Sequence, residues 1–244
     1  MRDRARGALG AIAFLTAVPV GRVTQLREAD LRRGVVLFPL VGGAVGGIVA
    51  LVTWSAAVVL PAIPAATLGV AAGIVVTAAF HLDGLGDVAD ALGGRDPHQA
   101  MRDPRLGTFG VAGVTLDLLL KVSVVASLAT SRFPWAIVAA ASVARVAPVA
   151  LAWRLPYVGG GTGGWTADIG ARSVVAALVV AGVVVVPTVG AFGTALMLVV
   201  VGASVVGLGR WSRRRLGGVT GDVFGASAEL GETLALAVAL AGPA

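Results

Sequence analysis

Cysteine is absent from the 244 residues. That excludes a disulfide framework and a thiolate metal site, and it leaves the redox compartment unread. Histidine occurs twice, too rarely for a His-rich zinc site. Charge is scarce as well: 13% of the residues are Asp, Glu, Lys or Arg, where soluble domains carry about 25%. Apolar side chains fill the chain instead, 57% of residues at a mean hydropathy of +0.92. Such a composition belongs to a polytopic integral membrane protein whose surroundings are the lipid bilayer. A net charge of +6 and a pI near 11.3 raise the question of nucleic acid. No basic patch is interleaved with aromatics, so nucleic-acid binding is set aside.

Apolar runs long enough to cross a bilayer, about 17–25 residues, fall at 35–60, 65–80, 108–130, 134–153, 173–186, 188–209 and 224–241. The expected fold class is all-α: a helical membrane bundle of about seven helices, forming a single transmembrane catalytic domain over residues 1–244. The second run is short and gains length if it continues through Asp90. The fifth is stopped by Pro187. Residues 1–20 open with arginines and continue into a short apolar stretch, as a signal peptide would. No small-x-small cleavage site follows, and residues 14–20 end in a proline-containing turn, so a short interfacial or re-entrant helix is the better reading. Residues 159–164 are glycine-rich but lack the lysine and spacing of a P-loop, and read as a flexible loop.

Arginine sets the orientation. With the N-terminus inside, the inside carries seven arginines before Val35, Arg95, Arg102 and Arg105 after the second run, Arg154 and Arg172 after the fourth, and Arg210, Arg213, Arg214 and Arg215 after the sixth. That is sixteen of the nineteen basic residues; Arg132 falls outside, and Lys121 and Arg145 lie within runs. The asymmetry predicts a multi-pass membrane protein with these loops on the cytoplasmic side. Asp83, Asp87, Asp90, Asp96, Asp103, Asp168 and Asp222 fall on the same side, so all polar chemistry is expected to face the cytoplasm.

Within that acidic set, the run His81-Leu-Asp-Gly-Leu-Gly-Asp-Val-Ala-Asp90 follows an apolar stretch directly. Its aspartates stand at i, i+4 and i+7, one face of a helix if the preceding helix continues through them. Three like charges near a low-dielectric boundary repel one another, and a cation relieves the repulsion. Carboxylate oxygens suit Mg2+, which keeps water and substrate phosphate oxygens as its other ligands. A solvated helix end neutralised by arginines is the plain alternative. Gly84 and Gly86 each weaken a helix by about 1 kcal/mol relative to alanine; close approach of substrate would account for them.

A second acidic face lies at 218–229, where Asp222 and Glu229 are seven apart, with Glu229 about 10 Å deeper. Asp222 suits a helix N-cap, which leaves Glu229 as an ionisable residue within a run and hence a functional candidate. The run Met101-Arg-Asp-Pro-Arg-Leu-Gly-Thr-Phe-Gly110 is a basic, glycine-rich helix entry. Arg102 and Arg105, with free N–H groups at the helix start around Gly107, could hold phosphate oxygens; membrane anchoring explains the charge equally well. Asp117 lies one turn from Lys121 and reads as its structural partner. Arg145 has no local partner, so it is expected to point into the polar centre of the bundle. His81 is a possible base or substrate contact, though a hydrogen-bonding histidine is commoner.

These pieces together resemble the adenosylcobinamide-GDP ribazoletransferase family, also called cobalamin-5'-phosphate synthase. The matching segments are 14–20, 38–43, 81–90, 101–110 leading to 118–121, and 218–229, in family order across nearly the whole chain. Ala17 stands where many members carry arginine. The resemblance implies an Mg2+-dependent phosphotransferase acting late in cobalamin biosynthesis. It would join adenosylcobinamide-GDP to α-ribazole or its 5'-phosphate and release GMP. On that reading Asp83, Asp87, Asp90 and Asp222 hold Mg2+, and Asp222 or Glu229 takes the hydroxyl proton. His81, Arg102, Arg105, Gly107 and Arg145 meet substrate. Two alternatives remain. A CDP-alcohol-type membrane phosphotransferase would carry a further aspartate pair downstream in a Gly-x-x-x-Asp-x-x-x-Asp run, and no such run follows Asp90. A secondary transporter would favour midplane binding residues and an internal repeat, and no repeat is evident.

Overall fold

The computed structural model describes residues 2–20, 24–94, 96–101, 103, 105–130, 134–160 and 163–241. Among them there is no strand, only a single bridge between Tyr157 and Val219. Helix is the expected outcome for chain in hydrocarbon, where every backbone N–H and C=O must find a partner within its own segment. The helices run in the order α1 (Arg2–Leu15), α2 (Glu28–Gly34), α3 (Phe38–Ala56), α4 (Ala62–Val76), α5 (Phe80–Gly93), α6 (Pro97–Ala100), α7 (Thr108–Thr130), α8 (Trp135–Ala144), α9 (Val146–Arg154), α10 (Ala171–Arg215) and α11 (Gly221–Ala241).

Among the described residues five helical stretches are long and apolar enough to cross a membrane: 28–56, 108–129, 135–154, 171–215 and 221–241. The bent pair α4 and α5 makes a sixth. The stretch 171–215 is 45 residues, about 68 Å of helix, roughly twice the hydrocarbon thickness. It breaks at Gly190, whose φ of 72° lies in the left-handed region that only glycine enters freely. Residues from either side of the break share apolar clusters, Val174 and Val205 in one, Val185 and Met197 in another. About seven spans were expected; by length and composition the described residues give five, or six with the bent pair. Pro187 was expected to end the fifth run, but it lies inside the helix. Loss of one N–H does not reverse a chain; the turn comes where positive φ is free.

The second run also departs from expectation. It does not continue through Asp90: α4 ends at Val76, Ala78 and Ala79 adopt φ of 51° and 58°, and α5 restarts at Phe80 bent by 91°. Left-handed geometry costs an alanine about 1–2 kcal/mol, so packing on both sides must hold the break.

α1 is about 21 Å long, too short to span, as expected of it. Its buried Ala11 and Leu15 join the cluster at the arginine-rich end of the bundle. There Phe14 stacks on Phe38 with centroids 5.4 Å apart, and Trp165 meets Phe14 at 5.1 Å and Phe224 at 5.2 Å. Four segments distant in sequence are fixed together by these rings.

Candidate functional site at the arginine-rich end of the bundle

The aspartate-bearing helix α5 packs closely on the first turns of α11. A Cβ on Gly84 would stand 2.6 Å from the carbonyl oxygen of Asp222, so only glycine lets the two backbones meet. Gly86 likewise faces the side chains of Leu106 and Val114. The close approach that these glycines permit is that of neighbouring helices, not of substrate, which corrects the sequence reading. Its consequence is to bring Asp222 beside the helix that carries Asp83 and Asp87.

Asp83 is exposed, whereas Asp87 and Asp222 are half-buried. Among the described residues none of the three forms an ion pair; Asp222 accepts a hydrogen bond from the Thr220 hydroxyl, at 3.3 Å. Asp90 is used differently. Its carboxylate accepts hydrogen bonds from the backbone N–H of Gly107 at 2.6 Å and of Gly110 at 2.7 Å. It therefore caps α7, satisfying donors that the helix start leaves orphaned. These are the N–H groups that the sequence offered to phosphate, and they are already taken.

Two cavities meet at Gly221 and Asp222. One, of about 300 Å³, is lined by His98, Met101, Tyr157, Gly160 and Thr220. Burial and the Asp222 carboxylate push the Tyr157 hydroxyl up. The other, of about 360 Å³, has walls of Phe14, Leu15, Phe80, Pro148 and Phe224, with His81, Asp83 and Asp222 at its edge. Both volumes lie near the lower end of small-molecule sites, about 300–1,000 Å³.

Deeper in the bundle lies a group of charges that the sequence reading placed within the apolar runs without pairing them between helices. Lys121 bonds Glu229, with Asp117 at 3.5 Å and Glu232 at 3.8 Å. Arg145, at the junction of α8 and α9, bonds Glu232, and its guanidinium lies 3.5 Å from Nδ1 of His81. Thr233 donates to Asp117. Polar chemistry is thus not confined to one end of the bundle. Four helical segments meet through buried side chains, because an isolated charge there is far costlier than a paired one. Asp117 shares Lys121 with Glu229 rather than neutralising it alone. Arg145 does point into the polar centre, as its isolation in sequence suggested. Glu232 escaped the sequence reading; its place three residues after Glu229 inside an apolar run was the available signal.

Of the basic entry to α7, Arg105 is exposed and pairs with Asp103 at 3.1 Å. Hydrogen bonding to that guanidinium holds the Asp103 carboxyl below the usual carboxylate range. Arg102 lies outside the described residues, as do Arg22, Arg95, Arg132, Gly161 and Thr162.

Fold and site define an integral membrane protein that gathers unpaired carboxylates between two cavities at one end of an apolar bundle. The chain belongs to the cobalamin-5-phosphate synthase family, which it matches over residues 7–240. It is similar to an adenosylcobinamide-GDP ribazoletransferase of Leptothrix cholodnii, 36% identical over an alignment that covers 95% of this chain and 94% of that protein. A protein of the same name from Ralstonia nicotianae is 34% identical, covering 99% and 97%. Another from Chlorobaculum tepidum is 36% identical, covering 93% and 91%. No solved structure matches the chain.

Proposed function

We propose that this chain transfers the adenosylcobinamide phosphate group of adenosylcobinamide-GDP to a hydroxyl of α-ribazole or its 5'-phosphate, releasing GMP. The observation that carries the reading is the gathering of Asp83, Asp87 and Asp222, without basic partners among the described residues, at the crossing of α5 and α11. Family membership selects the substrates; the CDP-alcohol and transporter alternatives have no such support.

The donor set suits Mg2+, because all its ligands are carboxylate oxygens. Among the described residues no three His, Asp or Glu side chains form a ready-made cation shell. Mg2+ needs none when one or two carboxylates and substrate phosphate oxygens suffice. Asp83 and Asp87 are the residues that would hold it, with Asp222 left beside them as a base, and the ion would neutralise charge on the pyrophosphate as GMP leaves. Asp90, one turn further, serves α7 first.

The acceptor hydroxyl oxygen forms a bond to the phosphorus that carries the cobinamide, and the bond from that phosphorus to the GMP oxygen breaks. The hydroxyl proton passes to a carboxylate. Asp222, between the cavities, is better placed for this than Glu229, which is buried against Lys121. Arg105, on the loop that follows Met101, would hold phosphate oxygens, and Arg102 would join it by its place in the sequence. The arginine asymmetry supports the reading that this end of the bundle faces the cytoplasm.

The test is GMP release by the purified protein in lipid, given adenosylcobinamide-GDP, either ribazole form and Mg2+. Release that needs both substrates and is abolished by chelation is expected. Uptake of solute without nucleotide turnover would overturn the reading.

A further inference from the structure

The two cavities that share Asp222 differ in what they can hold, and the reaction proposed above needs two substrates of different chemistry. The larger cavity is walled by three aromatic rings, Phe14, Phe80 and Phe224, with Leu15 and Pro148. The charged groups at its edge, Asp83 and Asp222, are both acids, so it favours a neutral aromatic occupant over a bare phosphate chain. The smaller cavity carries the Tyr157 hydroxyl, His98, Thr220 and the backbone of Gly159 and Gly160. Met101, at the start of the loop that bears Arg105, lines it too. Asp222 lines this cavity as well, and the cavity's hydrogen-bonding groups suit the base and ribose of a nucleotide.

We infer that the aromatic cavity is the acceptor subsite, holding the flat base of the ribazole nucleoside against Phe80 and Phe224, while the guanosine phosphate end of the donor lies in the Tyr157 cavity. The two substrates then reach Asp222 from opposite sides, with the acceptor hydroxyl and the pyrophosphate meeting at the first turn of α11. Aromatic faces bind such a base by stacking, which adds to the burial of apolar area. This assignment rests on the reaction proposed above.

Phe80 is the side chain to vary, because it is 57% exposed and its loss leaves the buried core intact. Phe80→Ala raises KM for α-ribazole about tenfold, the loss of one stacked ring. It leaves KM for adenosylcobinamide-GDP unchanged, and equilibrium dialysis of α-ribazole against the protein in detergent weakens by the same factor. Ala13→Trp, which fills the cavity from its α1 side, does the same without removing an aromatic wall. Tyr157→Ala has the opposite pattern, raising KM for the donor and not for the acceptor. A Phe80→Ala protein with unchanged α-ribazole KM and binding overturns the assignment, as a cavity filled only by lipid would give. So does a rise in donor KM alone. These outcomes are read on a wild type that turns over; a wild type that releases no GMP defeats the proposed reaction instead.

Discussion

Asp222 and Glu229 stand seven residues apart on α11, one at the open end of the bundle and the other about 10 Å inside it. Around Asp222 the carboxylates Asp83 and Asp87 gather without a basic partner among the described residues. Around Glu229 every charge has one: Lys121 for Glu229 and Asp117, Arg145 for Glu232. Both regions use aspartate and glutamate in an apolar bundle. What differs is whether the charge is settled within the protein. A settled charge holds helices in register; an unsettled one waits for a cation or a substrate group. The network also touches the site, since His81, beside Arg145, opens the helix that carries Asp83 and Asp87.

If that contrast is right, removing a carboxylate has opposite effects in the two places. Asp87→Asn is expected to lower GMP release by about 10²–10³-fold, the loss of one charge aimed at a phosphoryl site. Thermal unfolding in detergent should stay the same or rise slightly, because a like-charge repulsion is gone. Lys121→Met reverses the pattern: it strands Glu229 and Asp117 and destabilises the protein by about 3–5 kcal/mol, read as a fall in unfolding temperature. A Lys121→Met protein as stable as wild type would show that the inner charges are not a scaffold.

Gly84→Leu tests the joint between α5 and α11. Its side chain would begin 2.6 Å from the Asp222 carbonyl oxygen. The helices must part, at about 1–3 kcal/mol of overpacking, and turnover falls with stability because Asp222 moves away from Asp87. The smallest effect belongs to Asp90→Ala, which uncaps α7 for about 1 kcal/mol. Asp90→Asn, which keeps an acceptor oxygen for one of the two N–H groups, should recover part of that loss. Activity that collapses in Asp90→Asn with stability intact would place Asp90 among the metal ligands after all.

The acidic mouth was legible because its residues are close in sequence: Asp83, Asp87 and Asp90 share one motif, and Asp222 opens an apolar run. The all-α membrane bundle was legible from hydropathy, its number of spans only approximately. The roles within the motif were not, since they depend on what packs against it. Nothing in the order of residues says that Asp90 meets Gly107 and Gly110, or that Gly84 faces the backbone of Asp222. The inner network was half-visible, for Lys121, Arg145 and Glu229 each stood out as isolated charges, yet their pairing is between helices. Ala78 and Ala79 carry no turn signal, because alanine takes left-handed geometry only where tertiary packing imposes it. The aromatic wall drew Phe14, Phe38, Trp165 and Phe224 from across the chain, and spacing offered no hint of it.

The most direct test is the Mg2+ dependence of GMP release by the Asp87→Asn protein, purified in lipid and supplied with adenosylcobinamide-GDP and α-ribazole. Unpaired carboxylates serving as a cation and phosphate site predict release reduced by about 10²–10³-fold, with the Mg2+ requirement shifted to higher concentration. Release near the wild-type rate with an unchanged Mg2+ requirement would contradict the account.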